Sequence, residues 1–118
     1  MNENAYNLEQ RTREFSVQVI RFLKTLQQDT ISRPIIGQLI RSATSVGANY
    51  CEANGASSKK DFCNKIFICK KEAKETHYWL DLIEECCGYK KELNHLRNEC
   101  VELIRIFSKI AASSKEER

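Results

Sequence analysis

Lys59, Lys60, Lys70, Lys71 and Lys74 are the residues of this sequence whose type and spacing most directly suggest a chemistry. On a helix, at about 100° per residue, they project over roughly one third of the circumference. A basic stripe of that kind binds phosphates, such as those along RNA or DNA. From Lys59 to Lys74 six lysines stand against Asp61 and Glu72, whereas Glu75 to Cys87 holds four acids and no lysine or arginine. That order opposes the helix macrodipole, which favours acids at the N-terminal end and bases at the C-terminal end. Local helix stability therefore does not account for it. Two readings need no nucleic acid: a solvated face, or a face that meets the acidic half of a neighbouring subunit.

The other reactive residue types do not converge on a catalytic set. Cys51, Cys63, Cys69, Cys86, Cys87 and Cys100 include no C-x-x-C pair, so a zinc site has no anchor. Most of them fall on apolar helix faces, where a free thiol behaves as a small hydrophobe. A di-iron bundle needs two Glu-x-x-His motifs and two further glutamates. Glu92-Leu93-Asn94-His95 supplies one such motif, but His77, the other histidine, has Lys74 three residues before it. Asn54-Gly55-Ala56-Ser57-Ser58 reads as a turn rather than a phosphate loop. The expectation is a protein with no catalytic residues, no metal and no cofactor.

The elements that must hold the lysines follow from composition and periodicity. The chain has 118 residues, 42% apolar and 30% charged, with one proline and four glycines. That length suits a single domain spanning residues 1–118, and so few turn residues argue against a sandwich or barrel. The net charge of +3 is a mild basic bias. The first residues show neither a basic n-region nor an apolar h-region, and no apolar run reaches the roughly 18 residues of a membrane helix. A cytoplasmic protein without a membrane partner is expected.

Four helices are predicted at about 8–27, 34–53, 59–87 and 90–112. Their apolar stripes are Leu8, Phe15, Val19, Phe22 and Leu26, widened by Ile20 and Leu23; Ile36, Leu39, Ala43, Val46, Tyr50 and Ala53; Phe62, Ile66, Cys69, Ala73, Thr76, Leu80, Ile83 and Cys87; and Leu93, Leu96, Cys100, Leu103, Phe107 and Ile110. Asn7 with Gln10 and Ser58 with Asp61 are candidate caps, and Gly88 is a candidate stop. Short connections make neighbouring helices antiparallel, so the fold class is an all-α, up-down-up-down four-helix bundle. Gly47 inside the second helix suggests close approach by another backbone, since glycine there costs about 1 kcal/mol relative to alanine.

Two further sets need a role. Ile68, Trp79, Leu82 and Cys86 share a face of the third helix well away from its core stripe. They suit a homo-oligomer interface, or a broad stripe facing two helices of the same bundle. Arg41 on the second helix and Glu72 and Glu75 on the third could pair between helices, with Asn49 and Glu52 continuing the same polar strip.

The stretch Gln38-Leu39-Ile40-Arg41-Ser42-Ala43-Thr44-Ser45-Val46-Gly47-Ala48-Asn49-Tyr50 is distinctive. With Ser58-Lys59-Lys60-Asp61-Phe62 and Glu72-Ala73-Lys74-Glu75-Thr76-His77-Tyr78-Trp79-Leu80-Asp81-Leu82, it resembles the bacterial four helix bundle protein family, also described as ribosomal-RNA intervening-sequence proteins. The resemblance implies an up-down bundle that assembles with itself into a ring, typically a homopentamer, with no established enzymatic activity. A similar branch, the accessory variability proteins of diversity-generating retroelements, implies nucleic acid and a reverse transcriptase as partners. Many relatives carry acids where this chain has Lys70-Lys71, which makes its surface more basic. The functional expectation is an RNA- or DNA-associated accessory protein; the rival is a protein-interaction scaffold that touches no nucleic acid.

Overall fold

A computed structural model describes residues 3–116, with side chains from Asn7 to Ser114. It contains four helices: α1 (Glu3–Leu23), α2 (Ser32–Asn54), α3 (Lys59–Cys87) and α4 (Lys91–Glu116). They form a rod measuring 47 × 23 × 20 Å. Backbones approach around a ring, α1 to α2 to α3 to α4 and back to α1, while the diagonal pairs stay apart. The core stripes meet along the axis of this square. Tyr50 of α2 reaches Phe107 of α4 across a diagonal, with ring centres 5.7 Å apart.

The helices run in opposite directions, as their cross-links require. From α2 to α3, Ser42 meets Thr76 at 2.9 Å, Val46 accepts from the Cys69 thiol at 3.5 Å, and Glu52 reaches Lys65 at 2.8 Å. From α3 to α4, Ala73 accepts from the Cys100 thiol at 3.0 Å while Asp81, further along α3, meets Arg97, earlier in α4. On α1 and α2, Glu9 meets Asn54 and Ser16 meets Ala43. Arg11 spans α1 to α4 with two 2.7 Å bonds to Glu99.

The ends differ from the predicted ones for local reasons. α1 already includes Asn7, so Asn7 and Gln10 do not cap it. It stops at Leu23 rather than near Gln27, because Thr25 and Leu26 donate to the carbonyls of Phe22 and Leu23, the tighter three-residue pattern. α2 starts before Pro34. The Asp29 carboxylate accepts from the Ser32 amide at 2.8 Å, and the Asp29 amide donates to the Ser32 hydroxyl at 3.0 Å. That reciprocal cap satisfies two donors that the helix itself cannot. Ser58 caps α3 by accepting from the Asp61 amide at 3.0 Å. Gly88 ends α3 at φ 83°, a backbone conformation that side chains disfavour. α4 continues beyond Ala112 to Glu116; Met1, Asn2, Glu117 and Arg118 lie outside the described residues.

Nearly all the predicted stripes are buried. The exceptions are Leu26, Phe62, Cys87 and Ile110, which are half-buried, and Ile20, which faces solvent. Among the described residues no helix is long and apolar enough to cross a membrane.

Candidate nucleic-acid interface

The contacts of α3 fix which way its residues face. Cys69, Glu72, Glu75 and Thr76 touch α2, and Ala73, Asp81 and Glu84 touch α4. The remaining arc points outward. It carries Lys60, Phe67, Lys71, Lys74, Tyr78 and Glu85, all exposed. Their steps of seven, four, three, four and seven keep them in one row along the helix.

The five lysines therefore divide. Lys60, Lys71 and Lys74 stand in the outer row. Lys59 is exposed at the first turn of α3, beside Ser57, Ser58 and Ser114. Lys70 is half-buried and lies towards the α4 side. Lys60, Lys70, Lys71 and Lys74 form no ion pair with the described residues. Lys65, the sixth lysine of this half, is bound to Glu52 of α2 at 2.8 Å.

The acids of α3 behave differently, which explains the charge order that the macrodipole opposes. Arg97 of α4 is paired with Asp81, at 3.3 Å, and with Glu84. Arg41 of α2 is paired with Glu72, at 3.2 Å, and with Glu75. Glu75, Asp81 and Glu84 stand in the C-terminal part of α3, where α2 and α4 present guanidinium groups; Glu72 lies at its middle and Glu85 in the outer row. These acids are paired with guanidinium groups along the helix seams, Glu85 excepted, whereas the outer lysines form no ion pair with the described residues, although the field of Lys71 reaches Glu75.

Arg41 joins Glu72 and Glu75, and Glu52 joins Lys65 further along the same seam. Asn49 does not extend this strip: its amide donates at 2.8 Å to the Ser45 carbonyl of its own helix, four residues back. That local bond engages one of the amide's two N–H donors with its own helix.

Ile68, Trp79, Leu82 and Cys86 are each half-buried within the single chain. Trp79 lies against the bundle core, and its indole N–H donates to Glu75 at 2.9 Å. Its ring meets Tyr78 edge-on, with centres 5.0 Å apart. The face away from the core stripe is thus partly covered by this chain, and its tryptophan is tied to the Arg41–Glu75 pair.

The large apolar side chains that α3 does expose are Phe67 and Tyr78, 62% and 56% accessible. Sequence reasoning passed over both. The signal was available: Phe67, Lys71, Lys74 and Tyr78 step by four, three and four, the same rhythm as the core stripe on another side.

Titration gives a check on the tryptophan. The hydrogen bond from Trp79, followed by the one from Arg41, holds the Glu75 carboxyl below the usual glutamate range. A depressed carboxyl keeps its bonds at neutral pH and loses them as pH falls through its folded value. Trp79 is the sole tryptophan. Its emission should stay constant down through the ordinary glutamate range and change only below it, and Glu75→Gln should remove that transition. A midpoint within or above the ordinary range would show that the Trp79–Glu75 bond is absent in solution.

The cysteines are all free. Burial pushes the Cys69 and Cys100 thiols up to about 12, so neither supplies a thiolate nucleophile at neutral pH. Glu92 and His95 are exposed and line an open groove between α1 and α4 with Arg21 and Lys91. Among the described residues no group of three or more histidine, cysteine, aspartate or glutamate side chains is placed to hold a metal ion.

A square antiparallel bundle with a basic row on one outer helix defines a small all-α protein. The chain belongs to the 23S rRNA-intervening sequence protein family, whose model matches residues 5–109. It is similar to a solved structure from Bacteroides thetaiotaomicron VPI-5482, a protein with unknown function from the S23 ribosomal protein family. The two are 33% identical, with a TM-score of 0.79, over 87% of this chain and 96% of that one. No curated protein matches the chain.

Proposed function

We propose that this chain is a non-enzymatic, cytoplasmic accessory protein that associates with RNA or DNA through the outer row of α3. The observation that carries this reading is the unequal use of charge. Arg97 and Arg41 form ion pairs with Asp81, Glu84, Glu72 and Glu75 along the seams between helices, while Lys60, Lys71 and Lys74 face solvent and form no ion pair with the described residues. Unpaired cations in a row attract a polyanion, and the counterions released on binding supply much of the affinity. Membership of a family described by 23S rRNA intervening sequences supports the same reading.

Self-assembly belongs to the proposal, with the ring of five that the resemblance implies. Ile68, Leu82 and Cys86 keep part of their surface open next to the basic row, where a second copy could cover them. The same partly open residues favour the rival, a scaffold that binds only protein. Fluorescence anisotropy with structured RNA and with duplex DNA at low salt separates the two. Binding that weakens steeply as salt rises is expected; no binding at tens of micromolar protein rejects the nucleic-acid reading in favour of the scaffold. Light scattering on the same samples reports assembly, and a 13.7 kDa monomer at those concentrations removes the ring.

A further inference from the structure

We infer that the outer row of α3 takes unpaired rather than duplex nucleic acid, with bases stacking on Phe67 and Tyr78 while Lys71 and Lys74 hold the phosphates between them. This rests on the nucleic-acid reading above and specifies its ligand. Phe67 and Tyr78 expose 62% and 56% of their surface in the same row as two lysines that form no ion pair. Eleven residues of helix separate the two rings by roughly 16 Å, the length of about five stacked nucleotides. Lysines alone would serve a duplex, whose base faces are hidden in its own stack. An exposed aromatic ring contributes only where a base face is free to meet it, and such stacking tolerates any sequence.

The alternative occupant of an aromatic row is a second copy of the chain. Two such rows facing each other, as in a two-fold dimer, would bring the Lys71 and Lys74 charges of both copies together. Like charges in contact disfavour that arrangement, whereas a phosphate backbone neutralises them. A ring joins different faces, and light scattering on Phe67→Ala separates that case. Tyr78 is also held for the task, because its ring rests edge-on against Trp79, itself bonded to Glu75.

The test uses anisotropy with a single-stranded oligouridylate and a perfectly paired hairpin stem of similar charge, on wild type, Phe67→Ala, Tyr78→Ala and Phe67→Leu. Wild type should prefer the single strand. Each alanine variant should lose about tenfold in single-strand affinity with an unchanged salt slope, since stacking releases no counterions. Phe67→Leu, which keeps apolar area without a π face, should behave like Phe67→Ala. Trp79 emission should respond to the oligonucleotide through Tyr78. Circular dichroism melts should match wild type, because neither ring is in the core.

Equal binding of both probes with no effect of the alanine variants overturns the stacking inference and leaves the nucleic-acid reading standing. Binding of neither probe overturns both. If light scattering shows that Phe67→Ala dissociates an oligomer while single-strand affinity is unchanged, the row is a contact between copies and the inference fails.

Discussion

Replacing Lys60, Lys71 and Lys74 together with glutamine should weaken nucleic-acid binding about 100-fold at 0.1 M salt and leave the fold intact. The size follows from counterion release: each phosphate contact to a single strand contributes about 0.7 to the salt slope, so three lost contacts remove about 2. Relative to 1 M salt, a slope change of about 2 is worth about two decades at 0.1 M. Stability should change by no more than about 0.5 kcal/mol, because all three side chains are exposed and form no ion pair. Lys60→Glu is the sharper single variant. It lies in the first turn of α3, where a negative charge favours the macrodipole by about 0.3–1 kcal/mol. It should therefore bind less tightly yet melt no lower than wild type. Anisotropy across a salt series, beside thermal melts, reads both quantities. Unchanged affinity in the triple variant would remove the row from the binding surface.

The four helices and their stripes were legible because burial imposes a period. Ile66, Cys69, Ala73, Thr76, Leu80 and Ile83 recur every three or four residues, and all six are buried. The reason Glu84 sits near the wrong end of α3 was not legible. Its partner, Arg97, lies on another helix, and sequence spacing within α3 carries no information about that. Trp79 illustrates the same gap. Its position on the helix wheel points away from the core stripe, but the bundle has two neighbours for each helix, and Glu75, on its own helix, links its indole N–H to Arg41 of α2. Phe67 and Tyr78 were missed for a different reason. A lone exposed aromatic is ordinary on a protein surface, and they acquire meaning only when the outward arc of α3 is fixed by contacts on its other sides. The start of α2 was lost because Asp29 and Ser32 look like loop residues until their reciprocal bonds are seen.

Gly47→Val should destabilise the bundle by about 1–3 kcal/mol, lowering the melting temperature by roughly 4 °C for each kcal/mol. Glycine inside α2 holds the closest approach of α1. A Cβ at this position would stand 3.2 Å from the Thr12 hydroxyl oxygen and 3.4 Å from the Thr12 Cβ. Thr12 has little freedom to yield. It is fully buried, and its hydroxyl donates to the Leu8 carbonyl at 2.9 Å and lies 3.1 Å from that of Glu9. Valine is branched at Cβ and stiff at χ1, so it cannot turn both methyl groups away. Gly47→Ala divides the effect into its parts. It gains up to about 1 kcal/mol of helix propensity and loses a comparable amount to crowding, so it should be close to neutral. Thr12→Ala removes the nearest atom. In that background Gly47→Ala should become stabilising, and the coupling between the two positions should be positive in a double-mutant cycle. Melts at one fixed protein concentration measure all four states, so that any concentration dependence of the midpoint is common to them. A valine variant as stable as wild type would show that α1 and α2 separate at Thr12 in solution. The basic row of α3 would be unaffected, because the α1–α2 seam lies away from it.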